Sequence, residues 1–502
     1  MQRTVQHGER LASVEKRRVN LLAVVFAAAL APASVHLAVS TANPRAQAAI
    51  DRGLFLYYAY DGTDAMQAFS QAGTLDPNLA MAYWGEALAA GPDLNTPLTG
   101  ERFARAAAAI RTAAALAAAL PPLERRLVEI MASRYAGSFR DWTSHDATYR
   151  EAMLALAQTS QDENVQLLAA EALLEHGGLA WQSGAPNTEE SREALALVAG
   201  VLRDDHANVM ANHLCIHLYD LAPDRTPALR CAQRLDADAF PPQAEHLAHM
   251  PAHYWLETGN YAAAERSSER AFALMSQLTA NGAAADHAEQ YVKHDVVVGY
   301  SAAMMLGNYA VAQRWSSRMG AAFETSFDAL TALRFGRYDT AYAADGNEFA
   351  ASSVGGLAAL HLGRVAEARA VAAKIPASNT AQGYMPQLFL ARLAEADAKY
   401  DKAERLIEQG AANQRDAFSG ELIPFFPADE TLGAMRLRRN DAGGAIAAFD
   451  DALTAYPNDP RALYGLWQAL AASGQSAQAA TVRARFEKEW EGADTNVEHA
   501  LP

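Results

Sequence analysis

Residues 445–475 read AIAAFDDALTAYPNDPRALYGLWQALAASGQ, and residues 65–89 read AMQAFSQAGTLDPNLAMAYWGEALA. Each is an alanine-rich run, a break at Asn458-Asp459-Pro460 or Asp76-Pro77, and a second alanine-rich run. The runs have the residue types and amphipathic spacing that helices favour. A tight turn ahead of such a pair recurs outward along the chain. It is Gly259-Asn260-Tyr261, Gly307-Asn308-Tyr309, Gly336-Arg337-Tyr338 and Gly363-Arg364-Val365. Looser copies stand at Ala398-Lys399-Tyr400, Arg439-Asn440-Asp441 and Ser473-Gly474-Gln475, with an early one at Tyr60-Asp61-Gly62-Thr63. Glycine at such a turn takes a left-handed backbone at little cost. Nowhere does strand-like alternation persist, so the expected fold is all-α.

The unit of helix, tight turn and helix resembles the tetratricopeptide repeat, a pair of antiparallel helices about 34 residues long. One hairpin cannot bury its apolar face alone, so neighbours must stack. The resemblance implies a right-handed superhelical array of antiparallel helix hairpins, a tetratricopeptide-like α-solenoid with a concave wall. The turns are 27 to 48 residues apart, so the array is irregular. The expected division is an export signal over residues 1–33, a helical-repeat region over 34–325, a second over 326–485 and a loose tail over 486–502.

The chain also resembles a group of exported bacterial tetratricopeptide-type proteins that carry an HxxHMPxH motif. Here the motif is His246-Leu247-Ala248-His249-Met250-Pro251-Ala252-His253. Ala82 to Ala87, Gly91 to Pro97, Asn212-His213 with Ile216-His217 and Asp220, Tyr291 to His294 and the later LGAMRLRRND fit as well. The likeness covers most of residues 50 to 485. It departs at Glu421-Leu422-Ile423-Pro424, where such proteins have two prolines after the glutamate. It implies a fold and no activity.

The formal net charge of −16 argues against nucleic acid, whose recognition needs a basic face. Near the start, Arg10, Lys16, Arg17 and Arg18 precede the apolar run LLAVVFAAALA at 21–31, and Ala31-Pro32-Ala33 offers small residues for cleavage. This reads as an export signal, giving a periplasmic or secreted protein with no stable membrane span once the signal is removed. In an oxidising compartment the two cysteines, Cys215 and Cys231, have the opportunity to pair.

Six of the 14 histidines fall within residues 205–254. His213 and His217 are four apart, as are His249 and His253, and His246, His249 and His253 form an i, i+3, i+7 series. Such spacings put side chains on one helix face. Neutral imidazole is a common ligand of zinc and copper. Registered on the turns, three successive hairpins place His213 and His217, then His246, His249 and His253, then His294, on their first helices. Packed helices lie about 8–10 Å apart, so rings from neighbours can meet. The candidate metal ligands are therefore His213, His217, His246, His249 and His253, for zinc or copper. The bland reading is a set of hydrogen-bonded core or groove residues. His206 lies in a polar turn and is left out.

Metal-bound histidine commonly donates its other N–H to a carboxylate. Asp220, three residues after His217, is the candidate for that role, while Glu245 reads as a solvated acid. His294, Trp84, Glu86 and Asn95 are candidates for a surrounding pocket. Glu171, Glu175, His176 and Trp181 form a further polar and aromatic group. Aromatic residues at helical spacing are more often core. Pro251 either kinks its helix or begins it. No phosphate loop, serine elbow or HExxH motif is present. The leading expectation is an exported repeat protein whose groove binds a transition metal and a small ligand. The alternative is a metal-free scaffold for a peptide or protein, and a weaker one is a metal-dependent oxidase or hydrolase.

Overall fold

The computed structural model describes residues 35–177, 188–220, 222–280, 285–344, 346–375, 384–417 and 426–499. The expected export signal, Trp181 and Glu421 lie outside these residues, as does the side chain of His176. Among the described residues every regular element is helical, with one isolated bridge between Ser326 and Glu348. None of the helices is long and apolar enough to cross a membrane. Among the described residues the chain is all-α, built of successive helix hairpins.

The turn residues explain why the chain reverses where it does. Gly259, Gly336, Gly363 and Gly474 have φ of +76°, +69°, +75° and +80°. The looser turns use the same left-handed conformation at Tyr60, Ala398 and Asn440. Gly307 is the exception and serves close packing instead. A Cβ there would stand 2.5 Å from the Ala493 Cβ and 2.8 Å from the Trp490 ring. Helix starts are capped by side chains of the residues just after the turn: Asp61 accepts from the Asp64 N–H, Asn308 from Val311 and Asp441 from Gly444.

Packing between helices depends on glycines inside them. Phe69 lies over Gly53 and Gly85, Trp315 over Gly299, Phe389 over Gly356, and Phe449 over Gly433 and Gly465. A Cβ on Gly465 would stand 2.1 Å from the Phe449 ring, and one on Gly85 would stand 2.2 Å from the Phe69 ring. The missing side chain makes room for an aromatic ring of the neighbouring helix. Gly465→Ala is expected to destabilise the protein by about 1–3 kcal/mol through overpacking, read as a lower denaturation midpoint.

The described residues form two compact units. One holds 35–177, 188–215 and 237–247; the other holds 216–236 and 248–499. In the first, the helix Pro44–Tyr58 packs on Gly62–Leu75 and Ala80–Ala89, and later hairpins follow in order.

In the second unit the array does more than stack neighbour on neighbour. The Tyr261 hydroxyl donates to the Pro457 carbonyl at 2.8 Å, across 196 residues of sequence. The buried Arg461 donates to the carbonyls of Met304 and Met305 at 3.1 and 3.2 Å. Arg334 and Glu430, both fully buried, form a two-pronged ion pair at 2.8 and 3.0 Å. The last residues are held too. Asp494 accepts the Tyr309 N–H at 2.7 Å and donates its own N–H to the Gly307 carbonyl at 3.1 Å. The segment 486–499, expected as a loose tail, therefore docks on the turn at Gly307, because that turn offers an N–H and a carbonyl that Asp494 matches.

Candidate metal centre

The histidines lie where hairpin register puts them. His213 and His217 are on the helix Val209–Tyr219, His246, His249 and His253 on Glu245–Glu257, and His294 on Ala285–Met305. The helix Glu245–Glu257 runs unbroken through Pro251, which settles the two readings of that proline. Proline removes a backbone donor and crowds the turn before it. In that turn the Arg270 guanidinium donates to the Ala248 carbonyl at 3.2 Å.

In the second unit, three ring nitrogens converge. His249 Nε2 and His253 Nε2 are 2.8 Å apart, and His294 Nε2 is 3.1 Å from His253 Nε2. All three residues offer ligand atoms within 4.8 Å of one another. Around an ion with tetrahedral bonds of about 2.0–2.1 Å, adjacent ligand atoms stand about 3.3 Å apart. The observed spacings are close to that figure. The rings are fixed by one another: His249 meets His253 edge-on at 4.6 Å between centroids, and His253 stacks on His294 at 5.1 Å. His249 and His253 are buried, while His294 is partly exposed.

Electrostatics favour the neutral form of His249. Burial pushes the pKa of His249 well below the ordinary histidine range, and the neighbouring rings of His253, His294 and His217 push it the same way. Neutral imidazole is the form that binds a metal. Behind the ring, His249 Nδ1 stands 3.3 Å from the carboxylate of Asp295, which is itself buried. Burial of a carboxylate is costly unless it has a polar or charged partner, and a histidine whose opposite nitrogen holds a cation is such a partner.

In the first unit, His213 and His246 face each other with Nε2 atoms 3.1 Å apart. Asn95, one of the expected pocket residues, lies there: its Nδ2 is 3.5 Å from His246 Nε2. Asp93 holds this loop by accepting the N–H groups of Asn95 and Thr96 at 2.9 and 2.7 Å. Burial pushes the Asp93 carboxyl up to about 6, against the opposing pull of those donors.

His217, buried one turn beyond His213 on the same helix, has its ring near enough to act on His249. Asp220 is buried at the end of that helix, its N–H bonded to the Ile216 carbonyl. The carboxylate found against a ring of the three-histidine cluster is Asp295, which the sequence reading did not single out. His294, read as a pocket residue, contributes its Nε2 to the cluster itself. Trp84 is packed in the core at 2% exposure. Burial raises the pKa of Glu86 while Ser70 and Arg105, on the two adjoining helices, pull it back. Glu245 is fully buried and so is no solvated acid. Glu171 accepts the Tyr57 hydroxyl at 2.7 Å, and Glu175 pairs with the buried Arg134. Neither cysteine is free, each being in a disulfide.

No family model and no curated protein matches the chain. Among solved structures it is similar to the Cut9–Hcn1 hetero-tetramer of the APC/C, at 13% identity, 91% of this chain, 75% of that one and a TM-score of 0.29. Yeast Tom70 is similar at 10% identity, with 90% and 93% covered and a TM-score of 0.27. The TPR domain of P58(IPK) is similar at 14% identity, with 86% and 99% covered and a TM-score of 0.23. At these scores the fold assignment rests on the hairpins themselves.

Proposed function

We propose that the protein binds a transition-metal ion through His249, His253 and His294. The observation that carries this reading is the convergence of their three Nε2 atoms, with Asp295 behind His249. An all-nitrogen set of neutral imidazoles suits zinc or copper. Three protein ligands leave a fourth position for water or a small ligand, the arrangement of zinc sites that do chemistry. His294, on the partly exposed side, is where an ion enters. Metal-assisted oxidation or hydrolysis of a small ligand is within the reach of such a centre.

The helical-hairpin array also suits a metal-free scaffold for a peptide or protein, the second reading. Phe323 and Phe349, exposed by 40% and 36%, flank Phe327, which lines a cavity of about 570 Å³ together with Ser326 and Asp328. The imidazoles are a poor surface for a peptide, since His249 and His253 are buried. Export is part of the proposal and is supported by the bonded cysteines, because disulfides persist in oxidising compartments.

Metal content of protein purified without a histidine tag tests the assignment. After loading with zinc or copper and desalting, His249→Ala with His294→Ala is expected to lose about one equivalent relative to the unaltered protein. Retention of that equivalent in the double variant would defeat the metal reading and leave the scaffold. Sequencing of the mature N-terminus checks export: it is expected to begin at Ser34.

A further inference from the structure

We propose that His213 and His246 form a second, separate transition-metal seat in the first unit, taking another ion of the zinc or copper class. The two residues are 0% and 1% exposed. His213 Nδ1 lies 2.9 Å from the Tyr58 carbonyl. A carbonyl only accepts, so Nδ1 carries the ring proton and donates it. A neutral imidazole has one such proton, so His213 Nε2 offers a lone pair. That lone pair faces His246 Nε2 at 3.1 Å.

The surroundings hold this geometry in place. Tyr60 has a left-handed backbone at φ +57°, unusual for a tyrosine, at the turn after the helix Pro44–Tyr58. From there its ring stacks on His246 at 5.3 Å between centroids and tilts against His213 at 4.5 Å. The Asn95 amide approaches the same His246 nitrogen, on the loop that Asp93 ties down. Rigid rings with nitrogens spaced near the separation of adjacent ligands, about 3.3 Å, are preorganised for an ion. The competing reading is a plain N–H···N bond between the rings, which takes no metal.

Cobalt titration of the unaltered, tag-free protein, followed by visible absorbance, is expected to show two saturating steps, about two equivalents per chain. Zinc and copper loading with metal analysis should give the same total. His213→Gln with His246→Gln is expected to remove one step alone, and His249→Gln with His294→Gln the other alone. A single step that survives His213→Gln with His246→Gln overturns this inference and leaves the three-histidine seat standing. A single step that only the His213 and His246 changes remove supports this seat and overturns the other. No binding at all overturns both. The step count in unaltered protein decides the matter even where the glutamine variants fail to fold, because one seat cannot give two equivalents.

Discussion

Gly259→Ala is expected to destabilise the second unit by about 3–5 kcal/mol, through a strained backbone and a clash together. The residue has φ +76°, where an L side chain is strained. A Cβ there would stand 1.8 Å from the Pro457 carbonyl oxygen and 2.5 Å from its carbon. No rotamer change relieves that contact, since the obstacle is backbone. The same carbonyl accepts the Tyr261 hydroxyl, so moving it away breaks a second bond. Gly363→Ala is the control. Its φ of +75° is nearly identical, but nothing lies within 4 Å of the added carbon. That variant is expected to lose only about 1–2 kcal/mol, the conformational part alone. Chemical denaturation of the pair measures the difference. Equal losses would show that the approach of Pro457 contributes nothing.

This contrast also marks what the chain discloses as a string of residues. Turns are local, and a small or polar residue between two amphipathic runs has few other uses, so Gly259, Gly336, Gly363, Gly474, Ala398, Asn440 and Tyr60 could all be placed before any coordinates. The positions of the histidines on first helices follow from those turns by counting. The fold-back of Pro457 on Gly259 does not, because its cause is a fit between surfaces 198 residues apart. The docking of Asp494 on the turn at Gly307 was missed for the same reason. The glycines at 85, 299, 356 and 465 carried a readable signal: each sits within a helical run, where glycine is unfavourable, and an aromatic ring of the neighbouring helix explains it.

At the candidate site the limit was side-chain direction. The i, i+4 spacing of His249 and His253 says that they share a face, and the Nε2 separation of 2.8 Å agrees with it. Which carboxylate stands behind a ring depends on which helices meet and at what rotation. Asp220 was favoured because it is close in sequence to His217. Asp295 holds the place against His249 although it comes from the next hairpin, 46 residues later. Its neighbour His294 was the available clue, since a helix that brings one residue to the cluster can bring the next to its flank.

Asp295→Asn is accordingly expected to weaken zinc or copper binding at the three-histidine seat by about 10–100-fold, while leaving the seat in place. The change keeps the shape of the side chain and removes its charge. In the unaltered protein, the carboxylate 3.3 Å from His249 Nδ1 favours the proton on that nitrogen and raises the electron density that Nε2 offers an ion. Asparagine keeps an oxygen of similar placement near Nδ1, and the electrostatic support is lost. Asp328→Asn is the control, an acid of the same unit whose carboxylate accepts the Ser316 hydroxyl at 2.7 Å. Competition against a chelating dye gives both affinities, and metal-free unfolding curves show whether either variant is less stable before the ion arrives. The expected pattern is a large loss for Asp295→Asn, and for Asp328→Asn a change of less than about threefold, since a carboxylate engaged by Ser316 polarises no ligand's ring. If the two variants bind equally well, Asp295 is only packed beside the ring, and the three imidazoles must hold their ion without help from behind.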